Sequence, residues 1–281
     1  MKPCWVVLVV ACSRQHDEPR ELGKPAARSE SRHSIDVTVK GAPLSIRGVE
    51  LVPSPHAANV LELGYRIEAH DASLQVPAQI RCRVGGYNLV YPAGGPAKVV
   101  GPRLAALYRA DPFTDQPRAC QVDFFAGGRL IAAACYIDGV LRDGACAADT
   151  FPSPPRTTTF AVELARASLE LRHGTALVSG VFTLFEPLAA GRRFATQIRC
   201  EDAAGSATGE GELAFLPLEQ IPVGASVYGP VAMFLDRTPD PSATCDLRIV
   251  SRATSGAPTE HVHARYCLTT GAVRAGECSQ N

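Results

Sequence analysis

The sequence predicts an all-β fold class: two tandem, homologous antiparallel β-sandwich domains, each with two intradomain disulfides. Three observations carry this prediction. Apolar and polar residues alternate over many short segments, and the cysteines recur in two similar sets. Glycine and proline are abundant, at 24 and 22 residues of 281, which suits a turn-rich β structure. We expect the domains at 35–148 and 157–281, joined by a proline-rich, extended and semi-rigid linker at 149–156.

Alternation with a period of two marks the strands, because successive side chains of a strand point to opposite faces of the sheet. Roughly seven short strands in each half, separated by Gly, Pro and Asp turns, are typical of an antiparallel β-sandwich. One short helix is expected at 102–109, where Leu104, Leu107 and Tyr108 fall on one face. The clearest strand segments are 35–39, 61–67, 80–84, 120–124, 160–164, 194–200 and 245–249.

The two halves repeat one another in sequence. Gln-Ile-Arg-Cys occurs at 79–82 and again at 197–200. The segments 135–146 and 267–278 share the pattern Cys-x3-Gly-x2-Arg-x-Gly-x-Cys without a gap. Coincidence over so many positions is improbable, and the halves are therefore interpreted as copies of one ancestral unit.

Four cysteines in each half permit three pairings, and the sequence alone does not choose among them. Duplication favours one common scheme. Cys82 and Cys120 each lie among inward-facing residues of a predicted strand, which suits a bridge across the core, and Cys135 and Cys146 would then close the final hairpin. The scheme predicts the pairs Cys82–Cys120, Cys135–Cys146, Cys200–Cys245 and Cys267–Cys278.

The composition also excludes several classes of function. Ten cysteines without any Cys-x2-Cys spacing do not fit a zinc knuckle or a thioredoxin-like site. They favour an oxidising compartment outside the cytosol. The formal net charge is +0, so no nucleic-acid partner is expected.

The N-terminus provides a candidate export signal. Lys2 is followed by an apolar run, Trp5–Val10, which is far shorter than the roughly 20 residues needed to span a bilayer and fits the core of a signal peptide. The sequence Val9–Cys12 resembles the lipobox of bacterial lipoproteins. The resemblance implies cleavage before Cys12 and lipidation of that cysteine, and Ser13 is similar to the residue at this position in lipoproteins sent to the outer membrane.

The resemblance thus assigns residues 1–11 to a lipoprotein-type signal peptide and 12–34 to a tether. Residues 13–34 are polar and nearly free of apolar side chains, so they cannot bury enough surface to offset their ordering entropy. A flexible segment of this length spans on the order of 25 Å. It would hold a folded body close to a membrane to which the lipid anchors it.

A cysteine on an early strand and another on a late strand resembles the pattern of immunoglobulin-like (Ig-like) domains. The resemblance implies a sandwich architecture for each half. The chain departs from the family pattern at two places: its single tryptophan is Trp5, and the positions two residues before the later cysteines are Arg118 and Ala243 rather than tyrosine. The resemblance therefore concerns architecture and carries no function.

The sequence contains none of the common local motifs for hydrolases, zinc proteases or nucleotide binding, and no cofactor is expected. His261 and His263 lie two apart on a predicted strand and would share a face, so both imidazoles could reach one metal ion. Glu260 is the nearest candidate for a third ligand. The favoured interpretation is that they are exposed strand histidines without a metal.

A glycine-rich segment at 85–95 carries Tyr87, Asn88 and Tyr91, a candidate binding loop because tyrosines are enriched at binding surfaces. The equivalent segment of the second half, 203–212, has no aromatic residue. Two interpretations remain open from sequence. The tyrosines form a contact surface for a partner, or they pack against the edge of a sheet.

These observations predict a non-enzymatic, exported lipoprotein of the bacterial cell envelope, anchored in the outer membrane and facing either the periplasm or the cell surface. It would serve as an adhesive or binding module for an unknown envelope protein or glycan. The alternative is a secreted or periplasmic inhibitor or assembly factor for another exported protein. A third hypothesis is a hydrolase whose site is assembled from distant loops.

Overall fold

A computed structural model describes residues 34–41, 43–53, 61–69, 71, 76–93, 103–107, 117–187, 189, 191–213, 222–253 and 259–278. The proposed signal peptide, Cys12 and the tether up to residue 33 lie outside the described residues. The described part belongs to one compact unit, Arg32–Asn281. Its secondary structure is β-strand, apart from one turn of 3-10 helix at Ala148–Thr150.

Strands follow one another closely along the described chain, in agreement with the predicted all-β class. Within the described residues, no helix has the length and apolar character needed to cross a membrane. The strands are β1 (Ile35–Val37), β2 (Leu44–Pro53), β3 (Leu61–Ala69), β4 (Ala78–Val84), β5 (Tyr87–Ala93), β6 (Arg103–Leu107), β7 (Ala119–Ala126), β8 (Arg129–Ile137), β9 (Val140–Asp143), β10 (Val162–Arg172), β11 (Thr175–Leu184), β12 (Arg192–Asp202), β13 (Gly205–Glu212), β14 (Ala225–Leu235), β15 (Thr244–Ala253), β16 (Glu260–Thr269) and β17 (Ala272–Ala275).

The strand order is similar in the two halves, except that β1 has no counterpart in the C-terminal half and β13 there also pairs with β14. In the N-terminal half one sheet has the order β1-β2-β3-β6 and the other β5-β4-β7-β8-β9. In the C-terminal half β10-β11-β14 matches β2-β3-β6, and β13-β12-β15-β16-β17 matches the second sheet. Among the described strands the pairings are antiparallel except for β14 with β5, which are parallel and belong to different halves. The architecture is a β-sandwich-like arrangement in which hydrogen bonds join one half to the other.

Each half has a hydrophobic core formed mainly by the apolar side chains that alternate along its strands, and the N-terminal core also includes Val181 of β11. In the N-terminal core the rings of Tyr65 and Phe124 meet edge to face, with centroids 5.2 Å apart. Burial of each large apolar side chain contributes about 1.5–3 kcal/mol. The largest buried side chains are Ile46, Leu63, Ile80, Leu89 and Phe124 in the N-terminal half and Phe182, Leu184, Leu213, Met233 and Leu247 in the C-terminal half.

Four disulfides are present, and their pairs coincide with the predicted scheme. They are Cys82–Cys120, Cys135–Cys146, Cys200–Cys245 and Cys267–Cys278.

The expected position of the longer bridges was wrong in one respect. Cys82 on β4 lies directly opposite Cys120 on the neighbouring strand β7, and Cys200 on β12 lies directly opposite Cys245 on β15. These bridges therefore join adjacent strands of one sheet and do not cross the core between sheets. An inward-facing position in sequence does not distinguish a neighbour within the sheet from a partner in the opposite sheet, because both face the same core.

The short helix expected at 102–109 is also wrong. Residues Arg103–Leu107 form strand β6, which pairs antiparallel with β3 from Leu61 to Tyr65. A helical pattern over eight residues carries little free energy. The hydrogen bonds that a strand makes to an existing sheet override it.

Candidate functional site

The candidate binding residues Tyr87, Asn88 and Tyr91 lie on β5, at the seam between the two halves. At this seam Asn88 and Leu89 pair with Ala225 and Ser226 of β14. Asn88 is 3% exposed. Its amide nitrogen donates to the carbonyl oxygens of Pro152, at 3.1 Å, and Gly224, at 3.3 Å. The side chain therefore ties β5, the linker and the C-terminal half together.

The two tyrosines pack at the same seam. Tyr87, Tyr91 and Tyr228 of β14 all lie against the N-terminal core, and the guanidinium carbon of Arg166 stands 5.9 Å from the centre of the Tyr87 ring. Burial, with a smaller contribution from Tyr228, raises the pKa of the Tyr91 hydroxyl well above its usual value. The packing interpretation accounts for all three residues.

The linker is docked on the protein rather than free in solvent. It lies against the outer face of the N-terminal sheet, defined here as the side of β5-β4-β7-β8-β9 that carries Arg81. The Phe151 ring covers the Arg81 guanidinium at 4.3 Å, and the Pro152 carbonyl accepts a hydrogen bond of 2.9 Å from Arg83. The pKa of Arg81 is lowered by burial and that of Asp123 raised by burial, as expected for charged groups with reduced access to water.

The equivalent face of the C-terminal sheet carries an open groove, which we call the outer groove. Its volume is about 1290 Å³. Two contacts establish the equivalence of the faces: the backbone N–H of Cys146 donates to the Gln121 side chain at 3.1 Å, and that of Cys278 donates to Asp246 at 2.8 Å. The groove is lined by Gln197, Ile198, Arg199, Glu201, Thr208, Gly209, Glu210, Thr244, Asp246, Arg248, Glu277 and Cys278.

Most charged groups of the outer groove are already paired. Arg199 is 2.8 Å from Glu201 and donates a hydrogen bond of 3.1 Å to Ser206. Glu210 pairs with Arg252, and Glu277 with Arg265.

Arg248, on β15, is the exception. Among the described residues its side chain makes no ion pair or hydrogen bond. The groove therefore presents one guanidinium that has no partner among the described residues.

The two histidines singled out in the sequence do lie together, with ring centroids 4.6 Å apart for His261 and His263. Glu260, the expected third ligand, instead accepts hydrogen bonds from Gln197 at 2.9 Å and Arg252 at 3.0 Å. Among the described residues no group of three metal-ligating side chains is found. The pair alone does not supply the three or four ligands of a protein zinc site.

The expectation of exposed histidines is wrong for His263, which is partly buried, packs against the Phe194 ring and contacts a serine. Its Nε2 is 2.7 Å from the Ser251 hydroxyl oxygen, which accepts a hydrogen bond of 2.8 Å from Nε of Arg192. Arg192 can only donate, so Ser251 is the acceptor in that bond, whereas the donor between Ser251 and Nε2 depends on the tautomer of His263. Burial is the main cause that lowers the pKa of His263, followed by the charges of His261 and Arg192, while Glu186 opposes them.

This contact does not resemble a catalytic pair. Ser251 is fully buried, at 0% exposure, and its hydroxyl oxygen is held by Arg192. Ser251 and His263 are not among the residues that line the outer groove. A nucleophile must be reached by its substrate, and Ser251 is not accessible in this arrangement.

A second charged cluster escaped the sequence analysis because its members are distant in the chain. Arg237 donates to both carboxylate oxygens of Asp202, at 2.6 and 2.9 Å, and the Asp240 backbone N–H donates to the same carboxylate at 2.7 Å. The hydrogen bonds from Arg237 are the main cause that holds the pKa of Asp202 far below its usual range. The cluster ties the β12–β13 turn to the loop after β14.

The outer groove was likewise not identified from sequence. The available indication was the repeated Gln-Ile-Arg-Cys, which places Arg199 at the position of Arg81. Comparison with known proteins adds no assignment. No family model matches the chain, and no curated protein matches its sequence.

Proposed function

We propose that this protein is a non-enzymatic, lipid-anchored binding protein of the bacterial cell envelope, built from two tandem Ig-like β-sandwich domains with two disulfides each. The observation that carries the proposal is the set of four disulfides, which engages all eight cysteines of the described residues. Such a framework is typical of proteins outside the reducing cytosol. The lipobox-like sequence before Cys12 supports a membrane anchor.

A binding role is favoured over catalysis by the polar, open groove and by the inaccessibility of Ser251. The hydrolase hypothesis required a histidine, a serine and a carboxylate together in a cleft, whereas the serine that contacts His263 is fully buried and held by Arg192. The inhibitor or assembly-factor alternative shares the binding surface. It differs in having one stoichiometric protein partner.

Metabolic labelling with an alkyne fatty acid tests the anchor. We expect label on the wild-type protein and on the Cys4→Ala control, and none on Cys12→Ala. Absence of label from the wild-type protein would contradict the lipoprotein assignment. Capture from an envelope extract with the purified protein then separates a single stoichiometric partner from binding to glycans or surfaces.

A further inference from the structure

The two outer faces share the same strand arrangement and one arginine position, but Glu201 stands where the covered face has Arg83, and Ser206 where it has Asn88. On β4 and β12, Arg81 and Arg199 each precede a cysteine that is bridged to the neighbouring strand. Arg81 lies opposite Gln121, and Arg199 lies opposite Asp246. The strands that a bound chain segment would contact are therefore arranged in the same way on both faces.

In the N-terminal half this frame is occupied by the protein's own linker. Phe151 stacks on Arg81, and the carbonyl of Pro152 accepts hydrogen bonds from Arg83 and Asn88. Two features hold this segment. Its aromatic side chain lies over a guanidinium, and its backbone carbonyl accepts hydrogen bonds from two side chains. In the C-terminal half no segment among the described residues occupies the equivalent position, and the outer groove is open there.

The open face differs in charge from the covered one. Arg248 stands where the N-terminal half has Asp123, and it is unpaired within the described part of the chain. It lies diagonally across from Arg199, two residues along the adjacent strand, a spacing of roughly 7–8 Å between Cα atoms. Side chains two residues apart in an extended peptide are separated by about 6.6–6.8 Å.

An exposed aromatic side chain borders the same face. Phe234 on β14 is 75% exposed and lies directly opposite Glu210, a residue of the groove lining. Residues opposite one another on paired strands project to the same side of the sheet. An apolar ring next to a polar groove is common at protein–protein contacts.

From these observations we propose that the outer groove is a docking site for an extended segment of a partner protein. The segment presents an aromatic side chain to Arg199 and, two residues away, a carboxylate to Arg248. This inference rests on the proposed binding function and specifies the surface and the chemistry of its partner. The protein's own linker carries a carboxylate and an aromatic residue at this sequence separation, Asp149 and Phe151, and therefore supplies a probe; in the docked linker Ala148–Thr150 form a 3-10 turn, so the peptide must extend to bind.

The test is fluorescence anisotropy with a labelled synthetic peptide of residues 147–155, Ala-Ala-Asp-Thr-Phe-Pro-Ser-Pro-Pro, added to the oxidised full chain. We expect saturable binding. Arg199→Ala and Arg248→Ala in the protein, and Phe→Ala and Asp→Asn in the peptide, should each weaken the affinity by on the order of threefold to tenfold. Arg172→Ala, an exposed arginine on β10 outside the groove, is the matched control and should leave the affinity unchanged.

Arg81→Ala distinguishes the groove from exchange with the linker in the N-terminal half. Binding that responds to Arg81→Ala and not to Arg199→Ala would overturn the proposal, as would no detectable binding at millimolar peptide. Lipid labelling and partner capture test the proposed function separately. If both are retained when either of these results is found, the docking site is overturned and the proposed function is not. Near-wild-type amide spectra of each variant show that a loss of affinity does not come from unfolding.

Discussion

The Tyr266 hydroxyl on β16 accepts a hydrogen bond of 2.7 Å from the backbone N–H of Leu164 on β10. The same hydroxyl lies 3.4 Å from the Val162 carbonyl oxygen, so one side chain links the two sheets of the C-terminal half. Burial is the main cause that raises the pKa of Tyr266, to about 12. The neutral hydroxyl is therefore the form present throughout the physiological pH range.

Replacing Tyr266 with Phe keeps the ring and removes this link. The Leu164 N–H would be left buried without a partner, which costs about 1–3 kcal/mol. We expect a lower free energy of unfolding in urea by that amount and faster hydrogen exchange at the Leu164 amide. Unchanged exchange at Leu164 would show that the hydroxyl does not hold the two sheets together.

Close approach of β13 to β14 requires glycine at Gly209. A Cβ at this position would lie 2.7 Å from the Phe234 carbonyl oxygen, whereas a Cβ at Gly229 on β14 would meet nothing within 4 Å. Gly209→Ala should therefore destabilise the protein by about 1–3 kcal/mol through forced backbone shifts. Gly229→Ala is the matched control, and equal unfolding free energies for the two variants would contradict the close contact.

The disulfides should contribute unequally. The Cys82–Cys120 bridge closes 38 residues and the Cys135–Cys146 bridge closes 11. In the chain-entropy treatment these loops correspond to about 4 and about 3 kcal/mol. To compare the two contributions, each cysteine pair is replaced with alanines and the free energy of unfolding is measured by heat and urea. A larger decrease for the Cys135–Cys146 pair would show that this bridge stabilises the protein by more than loop closure.

Acidification should destabilise the protein through His263. Its folded-state pKa is below the ordinary 6.5, so between the two values the unfolded chain binds more protons and stability falls as pH falls. The stabilisation is fully present above pH 6.5 and is lost as the pH decreases towards the folded-state pKa.

His263→Gln, which keeps a hydrogen-bonding side chain without this titration, should flatten the decline in urea midpoint between pH 7.5 and 5.0. His261→Gln, at the exposed neighbouring residue, is the control and should preserve most of the decline. Asp202 acts in a different window, since its lowered pKa makes stability fall with pH only near and below its ordinary value of 3.8. An unchanged slope in His263→Gln would remove His263 as the source of the decline.

Much of the β structure could be predicted from sequence because a period of two reports which side chains face a core. The duplicated cysteines likewise led to disulfide pairs that coincide with those in the structure. The pattern does not report which strands are neighbours, and the bridge between Cys82 and Cys120 was therefore placed across the core instead of within a sheet.

The sequence shows that β5 contains tyrosines and β13 has no aromatic residue. It does not show what structural role this difference has. Tyr91 and Gly209 occupy equivalent positions opposite Ile80 and Ile198. The glycine lets β13 contact β14 within its own half, while the tyrosine packs at the seam between halves. Neither role can be inferred without the tertiary pairing that brings β14 to both strands. The outer groove escaped prediction for the same reason, since its arginines belong to two strands 49 positions apart at Arg199 and Arg248.

The parallel pairing of β5 with β14 also has a consequence for handling the protein in pieces. Unpaired backbone N–H and C=O groups along an exposed strand edge act as a template for other chains, and natural proteins conceal such edges. Here the concealment at Asn88 and Leu89 is supplied by the other half of the same polypeptide. A fragment cut at the linker would uncover that edge, and we expect it to self-associate more readily than the intact chain.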